Sequence, residues 1–160
     1  HMLQVAIDVA QGMQYLASIK VILVNLTARN ILISDDFVAK ISDFGHSRTE
    51  GNRRSRSLKG TVLVRWMALE CLLNHTYSEK SDVWSFGVFL WEIATLGALP
   101  YQGYQWKQVL EIVNGGFRLQ QPKHCSDNIY YIITKCWDVD PEQRPIFEEL
   151  VQILKNMKNT

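Results

Sequence analysis

Residues 23–45 read Leu23-Val24-Asn25-Leu26-Thr27-Ala28-Arg29-Asn30-Ile31-Leu32-Ile33-Ser34-Asp35-Asp36-Phe37-Val38-Ala39-Lys40-Ile41-Ser42-Asp43-Phe44-Gly45. Two short apolar runs, Ile31-Leu32-Ile33 and Val38-Ala39-Lys40-Ile41, flank Ser34-Asp35-Asp36. The short polar side chains of that middle segment have turn chemistry, so the stretch predicts a β-hairpin. Asn30 stands at the mouth of the first strand and Asp43 at the mouth of the second. Both offer hard oxygen ligands of the kind magnesium takes.

Outward from the hairpin the pattern turns helical. Upstream, Val5, Val9, Met13 and Leu16 recur at helical spacing, with Ala6, Ile7 and Ala10 beside them. They predict a buried helix over Leu3 to Ser18. Downstream, residues 46–62 are polar, carry Gly51, Asn52 and Gly60, and predict a mobile loop. Met67 to Leu73 reads as a short helix. Ser81 to Thr95 is apolar on almost every face, with Ser78 or Ser81 placed to cap it, and predicts a helix at the centre of the core. Gly97, Pro100 and Gly103 mark a loop from Leu96 to Gln105. Trp106 to Asn114, Asp127 to Cys136 and Ile146 to Met157 give three further helices, separated by Pro122, Pro141 and Pro145. The fold class is mainly α: one helical domain with a small β-hairpin, and no internal repeat.

Composition narrows the function classes. The 160 residues are 47% hydrophobic, enough for a substantial core, and carry a net charge of +1. Nothing in that balance argues for nucleic acid or an anionic membrane surface. Cys71, Cys125 and Cys136 are odd in number and widely spaced, which fits reduced thiols in a cytosolic domain better than disulfides or a zinc site. His46, His75 and His124 give no metal spacing. No apolar run reaches the roughly 18 residues of a membrane span, and His1-Met2 has the look of a tag remnant ahead of a domain over residues 3–158.

The ordered motifs resemble the C-terminal lobe of protein kinases, and within them the receptor-type tyrosine kinases. Ala28-Arg29-Asn30 is similar to the tyrosine-kinase ending of the catalytic loop. Asp43-Phe44-Gly45 is similar to the opening of the activation segment, and Val64-Arg65-Trp66-Met67-Ala68-Leu69-Glu70 to its close. Ser81-Asp82-Val83-Trp84-Ser85-Phe86-Gly87 resembles the central helix. Cys136-Trp137 and Arg144-Pro145 complete the set. The likeness covers almost the whole chain. It does not extend to a Gly-rich phosphate loop, a strand lysine or a partner glutamate, so the N-terminal lobe is expected to be absent.

The resemblance implies roles for particular residues. Asn30 and Asp43 would hold magnesium against ATP, with Phe44 and Gly45 beside them; a structural remnant, bonded to neighbouring backbone, is the alternative. Neither ATP nor Mg is expected on the chain alone, although the family implies both. Asn25 takes the place of the catalytic Asp. An amide cannot accept a proton near neutral pH, so the implied base is missing. Leu23 and Val24 stand where the family carries His and Arg. Arg29 would lie beside the base and the substrate ring in an active enzyme. Glu70 and Arg144 are implied as a buried ion pair, and Asp82 as an acceptor of backbone N–H bonds from the catalytic loop. Leu63 and Leu69 stand where family members carry Pro, which weakens the case for ordered peptide binding. The segment from His46 to Leu63 holds no tyrosine, while Arg53-Arg54-Ser55-Arg56 could be a basophilic kinase site or a solvated loop.

Two functions follow as expectations. In the first, the chain is a pseudokinase-like lobe, catalytically inactive, that serves as a signalling scaffold or allosteric module for a protein partner such as a kinase. In the second, it is part of a tyrosine kinase that transfers the ATP γ-phosphate to protein tyrosine when an N-lobe is present. Either way the implied location is cytoplasmic, the intracellular part of a membrane receptor included.

Overall fold

The computed structural model describes residues 2–45, 47–49 and 63–160. The fold is mostly helical. Its elements run α1 (Met2–Ser18), β1 (Val21–Ile22), β2 (Ile31–Ile33), β3 (Ala39–Ile41), β4 (Arg48–Thr49), α2 (Leu69–Asn74), α3 (Glu79–Ala94), α4 (Trp106–Asn114), α5 (Asp127–Cys136) and α6 (Phe147–Lys158). Single 3₁₀ turns cover Ala28–Asn30, Val64–Trp66 and Pro141–Gln143.

The core forms around α3, whose residues 81–90 are all buried. A helix apolar on every face has no solvent side, so neighbours must cover it all round. On one side Phe86 meets Phe147 of α6 edge-on at 5.6 Å. On another, α5 comes so close that a Cβ on Gly87 would lie 2.7 Å from the Cys136 Cβ. The helix starts at Ser78, whose hydroxyl accepts from the Ser81 N–H at 3.3 Å while the Ser78 N–H donates to the Ser81 hydroxyl at 2.9 Å. Both serines therefore take part in one reciprocal cap, and the first helical residue, Glu79, lies two residues ahead of the expected start at Ser81. α1 packs along α6 and against β3. Of the expected residues it buries Ala6, Ile7, Val9, Ala10, Met13 and Leu16 and leaves Val5 half-buried.

The predicted hairpin is present. β2 and β3 pair antiparallel with Ile31 opposite Ile41 and Ile33 opposite Ala39. The Ser34 N–H donates to the Val38 carbonyl and the Phe37 N–H to the Ser34 carbonyl, both at 2.9 Å, with Phe37 in the left-handed region at φ 64°. Asp8 of α1 ties the hairpin to the helical body by accepting from the Ala39 N–H at 3.1 Å.

Two expectations need correction. Leu69–Asn74 replaces the helix expected over Met67 to Leu73. Val64–Trp66 forms a 3₁₀ turn, and Met67 and Ala68 leave it in extended conformation, at ψ 139° and 152°. Within the stretch expected to be a loop, Arg48 and Thr49 form β4, antiparallel to β1 with Ile22 opposite Arg48. The strand escapes a pattern reading because it is two residues long and its partner lies far back in the sequence. The rest of that expectation, at His46 and residues 50–62, falls outside the described residues, as does the Arg53-Arg54-Ser55-Arg56 run.

Candidate functional site

The loop from Leu23 to Asn30 crosses the N-terminal half and the C-terminal end of α3, and two buried carboxylates on that helix hold it. Asp82 accepts the Leu23 N–H at 2.7 Å and the Val24 N–H at 3.0 Å. Glu92 accepts the Ala28 N–H at 3.0 Å and the Trp66 indole N–H at 2.7 Å through the same oxygen. The Asp82 contacts matter because Val24 sits at φ 71°. A β-branched residue is strained in the left-handed region and persists there only when its surroundings hold it. Asp82 is 2% exposed. Burial pushes its carboxyl up to about 7, against the two N–H bonds that pull it down, and nearby Glu79 pushes the same way as burial. Burial likewise raises Glu92. Glu92 was not among the expected site residues. Its signal is one acid inside the apolar run Phe89-Leu90-Trp91-Glu92-Ile93-Ala94, and a buried acid requires partners.

Asn25, Asn30 and Asp43 come together. Asn25 is 6% exposed. Its amide Nδ2 donates to the Asp43 Oδ2 at 3.2 Å, and its backbone carbonyl accepts from the Asn30 amide at 3.0 Å. The Asn30 carbonyl in turn accepts the Ser42 N–H at 2.8 Å and the Ser42 hydroxyl at 2.9 Å, which locks the loop to the end of β3. Asp43 is exposed, sits at φ 61°, and takes the Gly45 N–H on its other oxygen at 3.2 Å. Phe44 is 48% exposed, and Gly45 is exposed beside it.

The donor set is sparse for magnesium. Asp43 and Asn30 bring one carboxylate and one amide oxygen, and no group of three His, Cys, Asp or Glu side chains is found among the described residues. Magnesium demands near-octahedral oxygen coordination, and one Asp43 oxygen already receives the Asn25 amide. These residues do not by themselves fit the ion.

Glu70 and Arg144 meet in a bidentate pair. The Arg144 Nη1 and Nη2 donate to the two Glu70 oxygens, each at 2.8 Å. The guanidinium also donates to the carbonyls of Asp138 at 2.9 Å and Lys80 at 3.0 Å. It lies 4.9 Å over the Trp84 ring, with Arg118 at the same distance from that ring. One side chain thereby ties α2, the start of α3 and the chain ahead of α6.

Arg29 is exposed and lines a groove of about 570 Å³ with Arg65, Trp66, Leu99, Tyr104 and Trp106. Arg65 shapes its wall by donating to the carbonyls of Pro100, Tyr101 and Tyr104 at 2.9, 2.8 and 2.6 Å. No sequence pattern points to this groove, because its lining comes from three separate stretches, at Arg29, at Arg65 and Trp66, and from Leu99 to Trp106. The three cysteines are free and buried. Burial pushes the Cys71 and Cys136 thiols up to about 12, so neither is a ready nucleophile.

The sequence profile of protein tyrosine and serine/threonine kinase matches residues 1–154. Tyrosine-protein kinase receptor Tie-1 of Danio rerio is 45% identical over 157 residues, covering 98% of this chain and 85% of that protein. Tyrosine kinase receptor Cad96Ca of Drosophila melanogaster is 44% identical over 155 residues, 96% of this chain and 20% of that one. Megakaryocyte-associated tyrosine-protein kinase of Rattus norvegicus is 43% identical over 153 residues, 96% of this chain and 32% of that one. The chain thus spans a fifth to a third of two of these relatives and most of the third.

Proposed function

The chain belongs to the protein tyrosine and serine/threonine kinase family, and we propose that it is a C-lobe lacking phosphotransfer, working as a scaffold or allosteric binding module in tyrosine-kinase signalling. The observation that carries this reading is the Asn25 amide. Kinases place a carboxylate in the catalytic loop to accept the proton of the substrate hydroxyl. Asn25 has no proton-accepting group at neutral pH, and its NH₂ points at Asp43. Elsewhere the loop keeps its architecture: Asp82 and Glu92 hold its backbone, and Asn30 closes it onto Ser42. A frame kept rigid around a residue unsuited to the chemistry supports a binding role. Family members use ATP and magnesium; in this reading Asn30 and Asp43 are what is left of their metal ligands.

The partner is a protein, and the groove bounded by Arg29, Arg65 and Trp106 is concave, with both cationic and aromatic side chains to offer it. No described helix is long and apolar enough to cross a membrane. The likeness to tyrosine kinase receptors supports a cytoplasmic location, the intracellular part of a membrane receptor included. The deciding experiment is incubation of the purified chain with labelled ATP, magnesium and a tyrosine peptide. No time-dependent incorporation is expected, and magnesium-dependent labelling of the peptide would overturn the reading.

A further inference from the structure

We propose that the groove lined by Arg29, Arg65, Trp66 and Trp106 binds a phosphotyrosine side chain of a partner protein. The inference rests on the reading of the chain as a binding module and deepens it by naming what is bound. The two can fail separately.

Size, charge and rigidity carry it. The groove holds about 570 Å³, within the roughly 300–1,000 Å³ of small-ligand sites, which suits one large side chain. Its described lining has two guanidiniums and no acid. Arg29 is exposed and makes no hydrogen bond with a described residue. The acid that feels its charge is Glu92. That carboxylate is buried, already accepts the Ala28 and Trp66 N–H groups, and is not part of the lining. Arg65 donates to the Pro100, Tyr101 and Tyr104 carbonyls. Those bonds fix the guanidinium without exhausting its five N–H groups. The rest of the wall is apolar and also held. The Trp66 indole is bonded to Glu92, and the Tyr104 ring leans on Phe117 with centroids 6.4 Å apart. Trp106 is exposed, and the Lys107 ammonium lies 5.4 Å from its ring, adding a third cation beside the groove. Phosphotyrosine matches both halves. Its phosphate takes charge-assisted N–H bonds from guanidiniums, and its ring packs against aromatic walls. Phosphoserine lacks the ring, tyrosine lacks the charge, and Asp or Glu lacks the ring and the second charge. Donors and walls fixed in advance spare the ligand an ordering cost.

The probes are three end-capped peptides, identical except for a central phosphotyrosine, tyrosine or phosphoserine, together with inorganic phosphate. Each is titrated into the whole chain without ATP, and backbone and indole NMR signals report the site. The phosphotyrosine peptide should give saturable shifts at Arg29, Trp66 and Trp106. It should bind at least about tenfold more tightly than the other three probes, and more weakly as salt is raised. Arg29→Gln should loosen it about tenfold or more, whereas Lys123→Gln, at an exposed cation outside the lining, should leave it unchanged. Trp106→Ala should bring it down to the phosphoserine level. If a variant does not fold, the ranking of the four probes by the wild-type chain decides alone. Equal affinity for the phosphotyrosine and phosphoserine peptides, inorganic phosphate binding as tightly as the phosphopeptide, or no saturation below about 1 mM would overturn the proposal. So would groove signals that move with chain concentration alone, which would give the groove to a second copy. Peptide labelling with ATP would overturn the functional reading and leave this ranking standing, while a failed ranking leaves the absence of phosphotransfer intact.

Discussion

Of the polar contacts that join separate parts of this chain, two are built very differently. The Arg144–Glu70 pair is bidentate, with both bonds at 2.8 Å, and Arg144 is fully buried. The Asn25–Asp43 contact is one bond of 3.2 Å between a buried amide and an exposed carboxylate. Arg144 joins α2, the start of α3 and the loop after α5 at once, so its loss leaves a carboxylate and two carbonyls without their partner. Asn25 satisfies one carboxylate that water can reach. The contrast separates a contact on which the fold depends from one that tunes a surface site.

Arg144→Ala is the severest test of that contrast. Breaking a buried charge pair by removing one partner costs roughly 3–5 kcal/mol, so the urea midpoint should fall steeply. If Arg144→Ala and Asn25→Ala shifted it equally, the distinction would collapse.

Asp82→Asn comes next. Its amide can accept one of the two N–H bonds but presents its own NH₂ to the other, leaving a buried donor unpaired at a cost of about 1–3 kcal/mol. The pH dependence sharpens this. The Asp82 carboxyl titrates near 7 in the fold against 3.8 for an unperturbed group. The folded state therefore binds the proton more tightly than the unfolded state. Its contribution is fully present below about pH 4 and is lost as pH rises through 7. The difference in stability between wild type and Asp82→Asn should accordingly shrink from pH 4 to pH 8, as read from urea melts at each pH. A difference that grew with pH would show that Asp82 stays ionised in the fold.

Gly87→Ala should cost about 1–3 kcal/mol by overpacking. The new methyl would press on the Cys136 Cβ at 2.7 Å and the Trp137 indole nitrogen at 2.8 Å. That nitrogen has no hydrogen-bond partner, but the Cys136 Cβ is fixed to the α5 backbone and Trp137 is held through its carbonyl by Arg118, so the upper end of the range is expected in thermal melts. Asn25→Ala should be the mildest, at about 1 kcal/mol or less, with its effect confined to Asp43–Gly45 in an amide exchange map. A global loss of protection in that variant would place Asn25 on the structural side of the comparison.

The helices were legible because their cause is local. The period of Val9, Met13 and Leu16 marks the buried face of α1, with Val5 half-buried at its edge, and α4 and α5 begin and end where the pattern placed them. The ends of α2 and α3 were less so. A 3₁₀ turn at Val64–Trp66 and a cap shared between Ser78 and Ser81 depend on backbone angles that residue type alone leaves open. The hairpin was legible through its turn residues, whereas β4 was hidden because it pairs with Val21–Ile22 across a long separation.

The sequence by itself determined that the chain is mainly helical, that α3 is its centre, and that an amide stands at position 25. Spacing and hydrophobic period encode those facts residue by residue. The motifs implied the partners of Asp82 and Arg144; only the tertiary structure decided the other polar contacts. Glu92 meets Ala28 and Trp66, Arg29 and Trp106 line one groove, and the Asn25 amide reaches Asp43. These contacts depend on where α3 carries the loop and on left-handed backbone at Val24 and Asp43. No local pattern specifies that geometry, because the buried partners that stabilise it lie tens of residues away.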